Sequence, residues 1–134
     1  MKIAVIGATG NAGSRIVEEA LKRGHQVTAI ARNPEKLGGA RPNLVTKKGD
    51  AHDPAALAKL IAGHDVAISA VRFADSDPKK LIDAAKKSGV PRYLIVGGAG
   101  SLEVAPGKAL EDAPTFPAAY RNEASKGRDF LNIL

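Results

Sequence analysis

The chain has 134 residues, a formal net charge of +6 and no cysteine. This length suits one domain, which we expect to span residues 1–134, and the cysteine count excludes disulfides, thiolate catalysis and cysteine-ligated zinc. The basic residues are dispersed, with no run longer than pairs such as Lys47-Lys48, and aromatic residues make up only 4% of the chain. We therefore expect no nucleic-acid-binding surface. Because no apolar run approaches a membrane span and the first residues do not resemble a signal peptide, we expect a soluble, cytoplasmic protein that does not bind membranes.

The first thirteen residues predict a phosphate-binding turn. Ile3 to Ile6 form an apolar run typical of a buried parallel strand, glycines follow at every third position, and a helix is expected from about residue 12 to residue 23. A helix start presents unpaired N–H groups and a partial positive charge, and glycine leaves the approach to them open. The alternative is a tight turn that binds nothing. The residues expected to contact a dinucleotide here are Gly7, Thr9, Gly10, Asn11, Ala12 and Gly13.

Strands and helices alternate along the rest of the chain. Strands are predicted at 26–31, 43–47, 66–71 and 93–96, a short helix at 34–37, and further helices after Asp53-Pro54, after Asp77-Pro78 and at 118–134. Residues 102–117 read as a proline-punctuated loop. This alternation predicts an α/β fold with a doubly wound parallel sheet in the strand order 3-2-1-4-5. A ligand is then expected at the carboxyl ends of strands one and four.

The end of the second strand indicates which dinucleotide is preferred. An acidic residue at this position binds the ribose 2′-hydroxyl of NAD, whereas this chain has Arg32 and no carboxylate. Arginine forms charge-assisted bonds to a 2′-phosphate, so NADP(H) is expected to be preferred over NAD(H), with Lys36 assisting. The alternative is that Arg32 is only a solvated strand-end charge.

Two other strand ends supply further candidates. Asp50 and Ala51 follow the third strand and are expected near the adenine, while Ser69, Ala70 and Val71 end the fourth strand and are expected beside the nicotinamide ribose. Each is equally compatible with a simple turn or core residue. The three histidines are dispersed without the spacing of metal ligands, so no metal site is expected.

Four segments of the chain resemble the atypical short-chain dehydrogenase/reductases, and most closely the NAD(P)H-flavin reductases related to biliverdin reductase B and to the NmrA-like proteins. The segments are Met1 to Gly13, Ala31 to Leu37, Lys48 to Asp53 and Tyr93 to Leu102. The resemblance implies a Rossmann fold with NAD(P)H at the glycine turn. It also implies hydride transfer to a flavin, as substrate rather than bound cofactor, or to a similar small acceptor such as a quinone.

The chain departs from the pattern of the classical members. Gly97-Gly98 stands where they have a serine, which leaves Gly97 as a candidate cofactor contact, and Tyr120 is followed four residues later by Ala124, with Lys126 the nearest lysine. Ser101 and Tyr120 are therefore the candidate catalytic groups, although each taken individually is better explained without catalysis, Ser101 as a loop hydroxyl that caps backbone and Tyr120 as a surface or helix-start aromatic. Without a Tyr-x-x-x-Lys pair, a non-catalytic NADP(H)-sensing regulator remains the alternative, and a sugar-nucleotide epimerase is disfavoured. Relatives usually continue past the final helix, so we expect this chain to be truncated at its C-terminus.

Overall fold

The computed structural model describes residues 1–39 and 41–134. Its strands are β1 Lys2–Ile6, β2 Gln26–Ala31, β3 Leu44–Lys48, β4 Val66–Ser69, β5 Tyr93–Ile95, β6 Glu103–Ala105 and β7 Lys108–Ala109. Its α-helices are α1 Asn11–Lys22, α2 Pro54–Ile61, α3 Pro78–Ser88 and α4 Ala118–Ile133, and 3₁₀ helices lie at Pro34–Leu37, Phe73–Asp75 and Leu110–Asp112.

The residues form two compact units. The first, here called the sheet unit, comprises Met1–Val71 and Lys79–Val96. The second, here called the α4 unit, comprises Arg72–Pro78 and Gly97–Leu134.

The sheet unit is built on five parallel strands in the order β3-β2-β1-β4-β5. β1 lies at the centre, where Ile3 pairs with Val27 of β2 and with Val66 of β4. The chain proceeds from β1 to β2 and β3 on one side, then crosses to β4 and β5 on the other. The winding therefore reverses between β1 and β4, which is where sheets of this kind bind ligands. This topology confirms the predicted doubly wound α/β fold of the Rossmann type.

Small aliphatic residues allow the helices to pack closely on the sheet. Ala4, Ala29 and Ala67 have no exposed surface. On one face, Val17 and Ala20 of α1 join a buried cluster that includes Val5 and Ala29. The other two helices of the sheet unit bury the residues Leu57, Ala58 and Ile61 of α2 and Leu81, Ala84 and Ala85 of α3. The core is aliphatic, as its low aromatic content requires.

Most predicted boundaries differ from the structure by one or two residues. α1 begins at Asn11, β3 is shifted to Leu44–Lys48, β4 ends at Ser69 and β5 ends at Ile95. The predicted helix start after Asp53-Pro54 is confirmed, because Asp53 Oδ1 accepts the N–H of Ala56 at 3.2 Å. Differences of one or two residues are common at both ends of helices.

In the α4 unit, the prediction of an unstructured loop over 102–117 was wrong. This segment contains the antiparallel pair β6–β7 and the 3₁₀ helix Leu110–Asp112. The reversal takes place at Pro106 and Gly107, where Gly107 has a φ of 74°. Such a short ribbon lacks the apolar alternation of a half-buried strand, since all three residues of β6 are exposed, and periodicity therefore misses it.

Candidate functional site

The glycine turn between β1 and α1 is held by backbone hydrogen bonds. The N–H groups of Gly7 and Ala8 both donate to the carbonyl of Ile30 at 3.0 and 3.2 Å, and the N–H of Gly10 donates to Gly7 O at 3.1 Å. Gly7 has a φ of 82°, a left-handed conformation that side chains rarely adopt. The turn is therefore a fixed feature of the sheet unit.

The three glycines are required for different reasons. A Cβ atom on Gly7 would lie 2.7 Å from Ala70 O, and one on Gly13 would lie 2.0 Å from Gly7 O, so the fold itself needs both glycines. A Cβ atom on Gly10 would meet nothing nearer than 3.4 Å, and the backbone there is ordinary, with φ −73° and ψ 171°. Packing does not explain why Gly10 is glycine. A ligand that approaches the exposed turn closely would explain it.

The first turn of α1 presents unused hydrogen-bond donors. Among the described residues, the N–H groups of Asn11, Ala12 and Gly13 make no hydrogen bond, whereas Ser14 N donates to Gly10 O at 2.9 Å. No side chain caps this helix end, in contrast to α2. Asn11 and Ala12 are exposed. These donors, together with the partial positive charge of the helix start, fit a diphosphate group.

The carboxyl ends of β2 and β3 carry positive charge. Arg32, directly after β2, is exposed, and Lys48 at the end of β3 pairs in register with Ala31. Gly49 N donates to Ala31 O at 3.0 Å, which keeps the two strand ends together. Asp50 Oδ1 accepts the N–H of His52 at 2.9 Å, so this carboxylate closes a turn beyond β3. Exposed positive charge therefore lies at this edge of the sheet.

The three candidates at the end of β4 are not equivalent. Ala70 and Val71 pack against Gly7, and Ala70 N donates to Ile6 O at 2.9 Å. The side chain of Ser69, by contrast, is only 1% exposed, and its carbonyl accepts the N–H of Val96 at 2.9 Å. Any influence of the Ser69 hydroxyl on a cofactor is therefore indirect.

A second buried hydroxyl, that of Tyr93, lies near Ser69. Burial raises the pKa of Tyr93, and the Ser69 hydroxyl lowers it in part. Neither hydroxyl makes a well-formed hydrogen bond within the described residues. The two hydroxyls are therefore buried polar groups without a well-formed partner in the described part of the chain.

In the α4 unit, three of the predicted residues line one cavity. Gly97, Ser101 and Tyr120 surround a space of about 250 Å³, together with Phe116 and Arg128. Tyr120 is 66% exposed. The residue one helical turn further along α4 is Ala124, so the helix has no lysine in the position of a Tyr-x-x-x-Lys pair.

The sequence did not single out two acidic residues that organise this cavity. Glu123 accepts the N–H groups of Phe73 and Ala74 at 2.6 and 2.8 Å and so caps a 3₁₀ helix. Glu111 is 1% exposed and lies 2.6 Å from Nη1 of Arg128. The spacing of Tyr120, Glu123 and Gly127 on one face of α4 was a usable signal for Glu123. No local pattern marks Glu111.

The described part of the chain contains neither a candidate metal site nor a candidate membrane-spanning helix. No group of three or more acidic, histidine or cysteine side chains there has the geometry of a metal site. No helix within residues 1–39 and 41–134 is both long enough and apolar enough to cross a membrane.

Comparison with known proteins adds three similar structures. A Burkholderia pseudomallei protein, provisionally named as an exported protein, is 46% identical, with a TM-score of 0.84 over 99% of this chain and 65% of its own. A Bacteroides thetaiotaomicron protein, provisionally named as an epimerase, is 39% identical, with a TM-score of 0.90 over 98% of this chain and 62% of its own. A Streptococcus pneumoniae protein, provisionally named as an NADH-flavin reductase, is 35% identical, with a TM-score of 0.79 over 99% of this chain and 65% of its own.

The chain thus spans somewhat less than two thirds of the length of each of these relatives. The sequence profile of the NAD(P)H-binding family matches residues 7–132, which include the glycine turn, both strand ends and most of α4. The open, uncapped helix start fits the nicotinamide dinucleotide that this family binds, and the fold is that of its oxidoreductases. The chain is a member of the NAD(P)H-binding family.

Proposed function

We propose that the chain is an NADPH-dependent reductase that transfers a hydride to a flavin or a quinone-like acceptor. The observation that carries this proposal is the glycine turn, where Gly10 is glycine without a packing reason and the first N–H groups of α1 have no acceptor among the described residues. The name of the Streptococcus pneumoniae relative supports the reaction class.

The preference for NADPH rests on charge at the ends of β2 and β3. Arg32 and Lys48 are exposed there, and β2 ends without the carboxylate that would bind a ribose 2′-hydroxyl. A guanidinium can bind a phosphate with two parallel hydrogen bonds, which a hydroxyl cannot match. The 2′-phosphate of NADPH therefore gains an interaction that NADH lacks.

The chain's own contribution to the reaction is positioning. When bound, the reduced nicotinamide would supply the hydride. The N–H groups of Asn11, Ala12 and Gly13 would hold the diphosphate, and Gly10 would leave room for it. Hydride transfer depends on close approach and alignment rather than on a side-chain acid, so a missing Tyr-x-x-x-Lys pair does not prevent reduction of a flavin. Ser101 and Tyr120 remain the candidates for a proton donor, because both line the cavity of the α4 unit.

The proposal is tested by following NADPH absorbance in the presence of FMN, riboflavin or a simple quinone. We expect oxidation with at least one acceptor, and tighter binding of NADPH than of NADH in calorimetric titrations. The Gly10→Val variant tests the site, since it blocks the turn at a residue where packing leaves room for a side chain. Equal oxidation rates for this variant and the native chain would contradict the site.

A second candidate function is a regulator that binds NADP(H) without turning it over. The observation that favours it is Ala124, one turn after Tyr120, where a reductase of carbonyl groups would need lysine. The same feature disfavours sugar-nucleotide epimerisation, although the Bacteroides thetaiotaomicron relative carries the name epimerase. Tight NADPH binding without oxidation by any of the acceptors would favour the regulator.

A further inference from the structure

The cavity of the α4 unit has a wall that is rich in hydrogen-bond donors. Residues 97–101 line it, and their five N–H groups have no acceptor among the described residues. Two carbonyls of the same segment are already occupied, because Leu102 N donates to Ala99 O at 3.0 Å and Glu111 N donates to Gly100 O at 2.8 Å. This wall therefore suits a ligand that offers acceptors.

The cationic side chain of Arg128 lines the same cavity. Nη1 of Arg128 lies 2.6 Å from Oε1 of Glu111 and 3.5 Å from Oδ2 of Asp112, while Nε and Nη2 have no acceptor among the described residues. Glu111 is 1% exposed, whereas the side chain of Arg128 is 38% exposed. The buried carboxylate holds one side of the guanidinium by an ion pair without a well-formed hydrogen bond, and the donors Nε and Nη2 are left for a ligand.

The remaining walls are aromatic and flat. Phe73, Phe116 and Tyr120 line the space, and Phe73 is held edge-to-face against Phe130 at 5.8 Å between ring centroids. Gly127 allows this arrangement, since a Cβ atom there would lie 2.9 Å from the Phe73 ring. At about 250 Å³ the cavity is smaller than most drug-sized sites, so it suits a ring system rather than a whole dinucleotide.

We propose that this cavity binds a planar conjugated ring by the carbonyl oxygens along its edge, with Arg128 and the N–H groups of residues 97–101 as donors. The inference rests on the proposed reductase function and names the site of its acceptor. A hydride from the reduced nicotinamide adds two electrons and one proton to such a ring. Until a solvent proton arrives, the added negative charge is shared with the conjugated carbonyl oxygen, where fixed donors stabilise it. Flavins and quinones share this chemistry.

Binding without any nicotinamide is the first test. Riboflavin fluorescence is titrated with the native chain, with Arg128→Met and with Arg121→Met, the matched control at an exposed arginine of the same helix. We expect Arg128→Met to weaken riboflavin binding at least tenfold and Arg121→Met to change it less than twofold. Because Arg128→Met leaves Glu111 buried and unpaired, the double variant Glu111→Gln/Arg128→Met is measured as well. Unchanged binding in a folded double variant would overturn the proposal.

Turnover with three acceptors is the second test. Riboflavin and a naphthoquinone carry edge carbonyls, whereas an N-methylphenazinium cation accepts a hydride without one. We expect Arg128→Met to lower kcat/KM at least tenfold for the two carbonyl acceptors, while kcat/KM for the phenazinium cation, which the arginine charge repels, should stay the same or rise. An equal loss with all three acceptors would refute the role of Arg128. If only the flavin or only the quinone responds, that acceptor is identified as the ligand.

Glu111 is a positioning residue for Arg128, and the Glu111→Gln variant is tested by its separate effects on KM and kcat. Glu111→Gln keeps the shape of the side chain but releases the guanidinium, so KM for the carbonyl acceptors should rise severalfold while kcat with phenazinium stays constant. A fall in kcat with every acceptor would instead indicate a purely structural role and count against the proposal. A native chain that binds riboflavin and NADPH yet oxidises no NADPH would refute the reductase function while supporting the cavity.

Discussion

Gly13→Ala and Gly10→Ala should differ in their effect on the free energy of unfolding, although the two glycines are only three residues apart. A Cβ atom on Gly13 would lie 2.0 Å from the carbonyl oxygen of Gly7 and 2.8 Å from its carbonyl carbon. Both are backbone atoms of a turn that hydrogen bonds hold in place, so the clash cannot be relieved by a side-chain rotation. On Gly10, the nearest atom would lie at 3.4 Å, which is an ordinary contact.

The magnitudes follow from these distances. Overpacking of this kind costs about 1–3 kcal/mol or more, whereas alanine in place of glycine in a helix gains at most ~1 kcal/mol. We therefore expect Gly13→Ala to lower the free energy of unfolding by roughly 2 kcal/mol. Gly10→Ala should change that free energy by less than about 1 kcal/mol, because the lower entropy of the unfolded chain favours alanine while the N-cap position of α1 favours glycine. It should nevertheless weaken NADPH binding at least tenfold, which corresponds to about 1.4 kcal/mol.

Two assays separate these effects. Urea unfolding gives the free energy of unfolding for each variant, with the slope m checked for constancy, and calorimetric titration gives the NADPH dissociation constant. If Gly13→Ala is as stable as the native chain, the packing argument is wrong. If Gly10→Ala binds NADPH as tightly as the native chain, the phosphate does not approach this residue, and the observation that carries the proposed function is lost.

Three further variants test other parts of the structure. Arg32→Ala should weaken NADPH binding at least tenfold and leave NADH binding unchanged, as one charge-assisted phosphate contact is worth about 1.5–3 kcal/mol; equal losses for both cofactors would contradict the proposed 2′-phosphate contact. Asp53→Ala removes the side-chain acceptor for Ala56 N and should cost about 1 kcal/mol in urea unfolding, whereas Asp53→Asn keeps an acceptor at this cap and should cost much less; equal losses in the two variants would contradict the role of the cap. Tyr93→Phe removes a buried hydroxyl without a well-formed partner and should be neutral or stabilising near neutral pH. Because burial raises the pKa of Tyr93, the native chain should lose stability as pH rises above the unfolded tyrosine value of about 10, and Tyr93→Phe should show less of this loss; parallel stability curves for the two chains between neutral and alkaline pH would count against it.

The order of the elements follows from local chemistry. Short apolar runs, the Asp53-Pro54 cap and the glycine spacing each involve residues a few positions apart, and they predicted the five parallel strands and the helices between them. Strand order then follows from the handedness of parallel crossovers, which allows few alternatives. The ribbon at 103–109 was missed because its exposed strands have no buried face to leave a pattern.

The sequence by itself determined that a glycine turn joins a buried strand to a helix, and that Arg32 stands at the end of the next strand. Only the tertiary structure decided that packing requires Gly7 and Gly13 while imposing no such requirement on Gly10. It also decided that Glu123 caps the N–H of Phe73, 50 residues away, and that Glu111 anchors Arg128 at a cavity. The physical reason is the distance along the sequence over which each interaction acts. Helix caps, turns and periodicity are set by neighbouring residues, whereas steric room and the partners of buried charges depend on which distant segments pack together.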